Sequence, residues 1–204
     1  MRVVIAGYYG FHNWGDEGSL AALLQCIPHE TTTVLSGDPV FTQQTYGVRA
    51  VPRMALRAVR QTIRESDALI LGGGSLLQDA TSLRSLLYYL TLIRWGLNAH
   101  GRVVLVGQGI GPLRRPLSRW LTGAMLRRVP FLSVRDADSA QLLQSLGVGH
   151  AHVDADLTWV LKAQPMPIVL HADARWVGIA PRAWHNAPVV EVFRAFCRQL
   201  HAEG

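Results

Sequence analysis

The chain has 204 residues, 49% of them hydrophobic and 17% charged, with a formal net charge of +6. This composition excludes a disordered or low-complexity chain, and the length suits one full domain with part of another. Two cysteines, Cys26 and Cys197, exclude a disulfide scaffold and give no metal-ligand spacing, so a reducing, cytoplasmic setting is expected.

The predicted elements alternate. In chain order they are a strand at Arg2–Ala6, a helix near Glu17–Cys26, a strand at Thr32–Leu35, a helix near Arg53–Glu65 and a strand at Ala68–Leu71. A helix near Leu83–Ala99, a strand at Val103–Val106, a helix near Leu117–Arg128, a strand at Phe131–Val134, a helix near Ala137–Leu146 and a strand at His152–Val153 follow. The runs Ala68–Leu71 and Val103–Val106 are apolar throughout, which points to strands buried on both faces of a parallel sheet. The expected fold is therefore α/β, a doubly wound parallel sheet.

The pattern changes after Leu161. Pro165 and Pro167 mark an extended linker over 162–174, after an amino-terminal domain at 1–161. Trp176–Arg182 reads as a new first strand and turn, with a helix at about Val189–Leu200. One strand and one helix cannot bury a core, so 175–204 is expected to be the start of a truncated second domain.

The positive charge comes from nineteen arginines and a single lysine, Lys162. They are scattered, and densest at Arg114, Arg115 and Arg119. Scatter argues against a nucleic-acid partner and reads mainly as a general arginine bias of composition, with an anionic ligand or an anionic membrane surface as the functional alternative. The apolar start ends at Gly7, too short for a secretory leader. The stretch near Leu86–Leu97 contains Arg94 and is too short to span a bilayer. A soluble protein is expected, at most peripheral to the inner face of the cell membrane.

Four turns after strands carry the chemistry. The first, Gly7–Glu17, is glycine-rich but not G-x-G-x-x-G, and it places Asp16 and Glu17 at a helix start, where acids repel a pyrophosphate. Asn13 and Asp16 suit sugar hydroxyls, unless they merely cap the helix and shape the turn. His12 is the histidine best placed for acid–base work among the eight. The second turn, Gly72-Gly73-Gly74-Ser75-Leu76-Leu77-Gln78-Asp79, lets a ligand approach successive main-chain N–H groups, with Ser75, Gln78 and Asp79 adding polar reach. It lacks the Lys-Ser/Thr ending of a P-loop. The third, Gly107–Leu113, offers Gln108; the fourth, Leu132–Ser139, sets Arg135 at a strand end, aimed at a carboxylate or phosphate unless it locks the turn on an aspartate. Asp154 and Asp156 follow near the linker. No H-E-x-x-H or other metal spacing is present, so no metal is expected.

Taken together and in order, these segments resemble the polysaccharide pyruvyl transferase family of the CsaB type. The resemblance rests on Gly7–Glu17, Gly72–Asp79, Gly107–Leu113, Ser133–Asp136 with Ser139, and Asp154–Asp156, and spans residues 1 to about 160. It implies a GT-B-like enzyme of two Rossmann-like halves that moves the pyruvyl group of phosphoenolpyruvate onto a sugar of a cell-surface polysaccharide or secondary cell-wall polymer as a cyclic ketal. Such pyruvylated sugars anchor S-layer proteins in the best-known bacterial cases. Phosphoenolpyruvate is then a substrate and no cofactor is implied. Its partners would be the donor and a polymer or lipid-linked oligosaccharide acceptor, with membrane association and homo-oligomers compatible.

On this reading Asp16 and His12 are catalytic candidates. Arg135, Gly73, Gly74, Ser75 and Arg182 would bind the donor, and Asn13, Gln78, Asp79 and Gln108 the acceptor. The donor-binding basic and histidine residues of the family's second half have no counterpart here. The alternatives are a GT-B glycosyltransferase using a nucleotide sugar and an inactive truncated remnant. A dehydrogenase ranks last, because the glycine fingerprint is wrong.

Overall fold

The computed structural model describes residues 1–162, 176–179 and 189–203. The chain divides into two units, Met1–Lys162 and Ala163–Gly204.

The first unit is built on one sheet of seven strands: β1 (Val3–Tyr9), β2 (Thr32–Ser36), β3 (Arg49–Pro52), β4 (Ala68–Gly72), β5 (Val103–Gln108), β6 (Phe131–Val134) and β7 (His152–Val153). The order is β3-β2-β1-β4-β5-β6-β7, and every neighbouring pair is parallel. The expected doubly wound α/β fold is therefore the observed one. Strand order reverses between β1 and β4, and the turns beyond their carboxyl ends are where doubly wound folds bind ligands.

Period-2 alternation sorts the strand residues into two cores. Val3, Ile5 and Val34 face Leu20, Leu23 and Leu24 of α1 (Trp14–Leu24). Val4, Ala6, Leu69, Leu71 and Leu105 face the opposite layer of α3 (Leu56–Glu65), α4 (Leu83–Ala99), α5 (Pro116–Leu126) and α6 (Ala137–Ser145). Each fully buried aliphatic side chain there stabilises the fold by roughly 1.5–3 kcal/mol. Helix α4 lies close on the sheet because Gly96 has no Cβ; one would sit 2.8 Å from Val103 Cγ2 and 3.0 Å from Leu69 Cδ2. The expectation of strands buried on both faces holds in full for one face only: Leu69, Leu71, Val103 and Leu105 are buried, but Ile70, Val104 and Val106 on the other face are half-buried.

Besides two short 3-10 turns, His29–Thr31 and Leu157–Val160, two elements were not predicted: α2 (Pro39–Tyr46) and β3. Asp38 caps α2 by accepting from the Phe41 N–H, Pro39 sits in its first turn, and Gly47 closes it in the left-handed region with φ 65°. Strand β3 is only four residues long, lies at the sheet edge and ends in proline, so it carries little local signal. Helix α3 starts at Leu56 rather than Arg53, because the chain is still leaving β3 at that point. Helix α1 starts at Trp14, three residues before the predicted start, with Asn13 at its N-cap.

In the second unit α7 runs over Val189–Glu203, close to the predicted helix. Residues 176–179 form no strand. The rest of the predicted Trp176–Arg182 strand, with Arg182 itself, lies outside the described residues.

Candidate functional site

The turn after β1 is tied to the turn after β4. The buried Tyr9 hydroxyl donates to Gly72 O at 2.6 Å, and its ring fills the space that a Cβ at Gly7 would occupy. Gly73 and Gly74 then take left-handed backbones, φ 64° and 70°. Side chains at either position would also collide: a Cβ at Gly74 would lie 2.7 Å from Asp16 Oδ1. Asp16 is buried in the first turn of α1 and touches the triple-glycine loop by this route. Asn13 makes no capping bond; its Nδ2 donates to Asp16 Oδ2.

Glu17, the next acid, is committed locally. Its Oε1 accepts from the Gly10 N–H at 2.8 Å and its Oε2 from the Tyr46 hydroxyl at 3.0 Å. Burial, together with the Glu17 charge and hydrogen bond, pushes the Tyr46 hydroxyl well above the usual phenol range. Asp16 and Asn13 are thus the pair of this turn nearest the glycine loop, while Glu17 holds the turn together.

The turns after β4 and β5 form one paired loop. Gly109 N–H donates to Gly74 O at 2.8 Å, Gly111 N–H to Leu77 O at 2.9 Å, and Leu77 and Ile110 form a parallel bridge. Ser133 and Ser139 brace it, accepting from the Gly107 and Ile110 N–H groups. Asp136 caps α6 by accepting from the Ser139 N–H at 2.7 Å. Of the Ser133–Asp136 and Ser139 segment, this leaves Arg135 to reach across the site.

Arg135 does so over Gly109, where a Cβ would come within 2.6 Å of Ser75 Oγ and 3.0 Å of Arg135 Nη2. Its Nη2 donates to Ser75 Oγ at 3.1 Å and its Nη1 to Asp156 Oδ2 at 2.9 Å, with Asp136 at 3.6 Å from Nε. The guanidinium has five N–H donors, so these two hydrogen bonds leave others for a ligand. The Arg–Asp lock weighed from the sequence is present, yet the side chain remains one-third exposed.

Burial acts to raise the Asp156 carboxyl, but donation from the Thr158 N–H and hydroxyl and from Arg135 outweighs it and holds the group below the ordinary aspartate range. At Asp136 the Ser139 hydroxyl and N–H and the Arg135 charge have the same net effect against burial.

The other sequence-derived residues take varied places. Asp79 is buried and both of its oxygens are occupied, Oδ1 by the Arg114 N–H at 2.7 Å and Oδ2 by the Arg115 N–H at 3.0 Å. Gln78 bonds Thr81 in its own loop through both ends of its amide. Gln108 is fully buried and donates to Leu71 O and Gly73 O, so it supports the glycine loop from behind. Its Oε1 has no partner among the described residues. His12 is exposed, adopts φ 56° and packs edge-on against Phe41 of α2. It is turned to α2 rather than gathered with Asp16 and Arg135.

The structure adds a residue that sequence reasoning missed. Arg53 follows β3 at the carboxyl edge and is only 8% exposed. Among the described residues it has no carboxylate partner. It lies 4.7–5.7 Å from the ring centroids of Tyr8, Phe11, Tyr88 and Tyr89, and its Nη1 reaches Gly7 O at 3.5 Å. The ring faces supply the negative potential that a carboxylate otherwise would. In front of it Tyr8 and Phe11 stack at 4.2 Å, each partly exposed. The Gly73 N–H, expected from the sequence to face a ligand, instead donates to Val106 O at 3.0 Å, because it continues the β4–β5 pairing. The edge thus combines an arginine and a hydroxyl at β4–β6 with an acid, an amide and a flat aromatic pair at β1.

The sequence model of the polysaccharide pyruvyl transferase family matches residues 17–199, most of the chain, and the chain belongs to that family. No curated protein sequence matches it.

Proposed function

We propose that this family member takes the pyruvyl group from phosphoenolpyruvate and builds it onto two hydroxyls of one sugar in a cell-surface polymer, as a cyclic ketal. The donor carries a carboxylate and a phosphate, and it needs a planar cation and main-chain donors. Arg135, Ser75 and the Gly74 turn fill that role, with the Gly73 N–H committed to Val106 O. Asn13 and Asp16 take the acceptor hydroxyls, and the Tyr8–Phe11 pair offers an apolar face to a sugar ring. Asp79 and Gln108 act one step back, by holding the loops. The observation that carries this reading is Arg135 held over Gly109 against Ser75, with unused N–H donors beside the triple-glycine turn.

The steps balance. A proton adds to the methylene carbon of the enolpyruvate, leaving an oxocarbenium-like centre at its neighbour. One sugar hydroxyl attacks that carbon and gives up its proton; the C–O bond to phosphate breaks and phosphate leaves. The second hydroxyl closes the ring and gives up its proton. Of the two protons released, one replaces that taken by the methyl group and the other leaves with phosphate. Asp16 is the group assigned to receive a hydroxyl proton, and the Arg135 charge opposes the negative charge on the departing phosphate.

Calorimetry with phosphoenolpyruvate and with a uridine nucleotide tests the donor assignment. Binding of the first and not the second is expected, with loss of binding in Arg135→Ala. Preference for the nucleotide, or unchanged affinity in Arg135→Ala, overturns it.

A further inference from the structure

Helices α3, α4 and α5 lie side by side over one face of the sheet, α3 against α4 and α4 against α5. Their outward positions repeat at helical spacing. On α3 these are Arg57, Arg60 and Arg64; on α4 they are Arg84, Leu87, Thr91 and Arg94; all are exposed. The three helices together hold six arginines against one acid, Glu65. That excess approaches the +6 of the whole chain, so charge that is scattered in sequence is gathered on one face. Among the described residues none of the five exposed arginines has a salt bridge. By contrast α1, on the other side of the sheet, carries two acids and no base.

The same face carries protruding apolar side chains. Leu117 and Trp120 of α5 are 64% and 65% exposed, and Leu87 on α4 is 42% exposed. Arg114 and Arg115 precede α5 and are exposed, as are Arg127 and Arg128 beyond its end. With 17 residues, α4 is about 25 Å long, and helices packed at about 10 Å make the layer roughly as wide as it is long.

We propose that the outer face of the α3–α4–α5 layer docks on an anionic lipid bilayer. Arginines meet phosphate headgroups while Trp120, Leu117 and Leu87 enter the interfacial zone. A nucleic acid rewards only the cations, because its backbone offers nothing to leucine at these positions. The headgroup region accommodates both residue types at once, and the interfacial preference of tryptophan fits that zone. No helix of the described residues is long and apolar enough to cross a membrane, so the contact is a surface one. This inference does not rest on the donor chemistry.

Vesicle co-sedimentation of the full chain tests it. Vesicles with phosphatidylserine as roughly a third of their lipid are compared with pure phosphatidylcholine at low and high salt. At least about tenfold more binding to the anionic vesicles is expected, falling with salt. The charge reversal Arg57→Glu with Arg60→Glu and Arg64→Glu should abolish it. Trp120→Ser with Leu117→Ser, which leaves the charge unchanged, should weaken it severalfold. Circular dichroism confirms folding of both variants, whose changed residues are exposed. Equal binding to both vesicle types, or unchanged binding in the charge-reversed variant, overturns the proposal. So does full retention of binding in the Trp120→Ser, Leu117→Ser variant, which would reduce the face to a general polyanion site.

Discussion

Gly109→Ala probes the candidate site with a single methyl group. A Cβ at 109 would stand 2.6 Å from Ser75 Oγ, 3.0 Å from Arg135 Nη2 and 3.1 Å from Arg135 Nε. Gly109 is not among the glycines with positive φ, so alanine fits its backbone and the perturbation is steric. Ser75 and Arg135 are both partly exposed and can swing aside. The stability cost should therefore fall at the low end of the roughly 1–3 kcal/mol for overpacking. At this size about 1 kcal/mol lowers Tm by roughly 2–4 °C. The effect on the donor should be larger. Moving the guanidinium forfeits hydrogen bonds to a charged group, worth about 1.5–3 kcal/mol, or roughly ten- to hundredfold in affinity. Gly149→Ala is the control: nothing lies within 4 Å of its Cβ and its φ is ordinary, so Tm should hold or rise slightly. Thermal melts and phosphoenolpyruvate calorimetry on both variants give the answer. If Gly109→Ala melts as expected yet binds phosphoenolpyruvate like the parent, the Ser75–Arg135 arrangement plays no part in donor binding.

Three further outcomes follow from the same geometry. Tyr9→Phe removes the 2.6 Å bond to Gly72 O inside the core and should cost about 1–2 kcal/mol, read as a lower midpoint in urea with unchanged slope; an unchanged midpoint would show that the bond does not hold the glycine turn. Arg53→Lys keeps the charge but cannot lie flat among four rings, so it should destabilise by about 1–3 kcal/mol; equal stability would refute the aromatic cage as the reason for this buried cation. Asp79, Asp136 and Asp156 are held below the ordinary carboxyl range in the fold, so they bind fewer protons there than in the unfolded chain. Their stabilisation is complete above the unfolded value of about 3.9 and is lost as pH falls through the lower folded values. Tm should be flat from about pH 5 to 7 and drop below about pH 4, less steeply in Asp156→Asn; an identical acid slope in that variant would remove Asp156 from the account.

The family and the sheet were legible because their signals are local. Each glycine-rich turn follows its strand directly, the apolar runs of β4 and β5 announce themselves, and the bounds of α4 were read without error. Arg135 was found for the same reason, since a strand end fixes where its first turn residue must lie. Arg53 was missed through a boundary. With β3 unrecognised, Arg53 was read as the start of a helix, although Val51 and Pro52 before it held a weak strand signal. Once β3 is in place, position 53 falls at the carboxyl edge with the other turns.

The sequence by itself thus determined the alternation of elements, the family and the turns that carry polar groups, because short-range periodicity and glycine placement encode them. Only the tertiary structure decided what each polar group is free to do. Asp79 and Gln108 have the right chemistry for a ligand, but the main-chain groups they hold come from segments 35 to 37 residues away in the chain. Arg53 gains its four rings from the β1 turn and from α4, at similar distances along the chain. The arginines of α3, α4 and α5 became a surface only when the sheet laid those helices side by side, since charge density on a face depends on packing, which no local window contains.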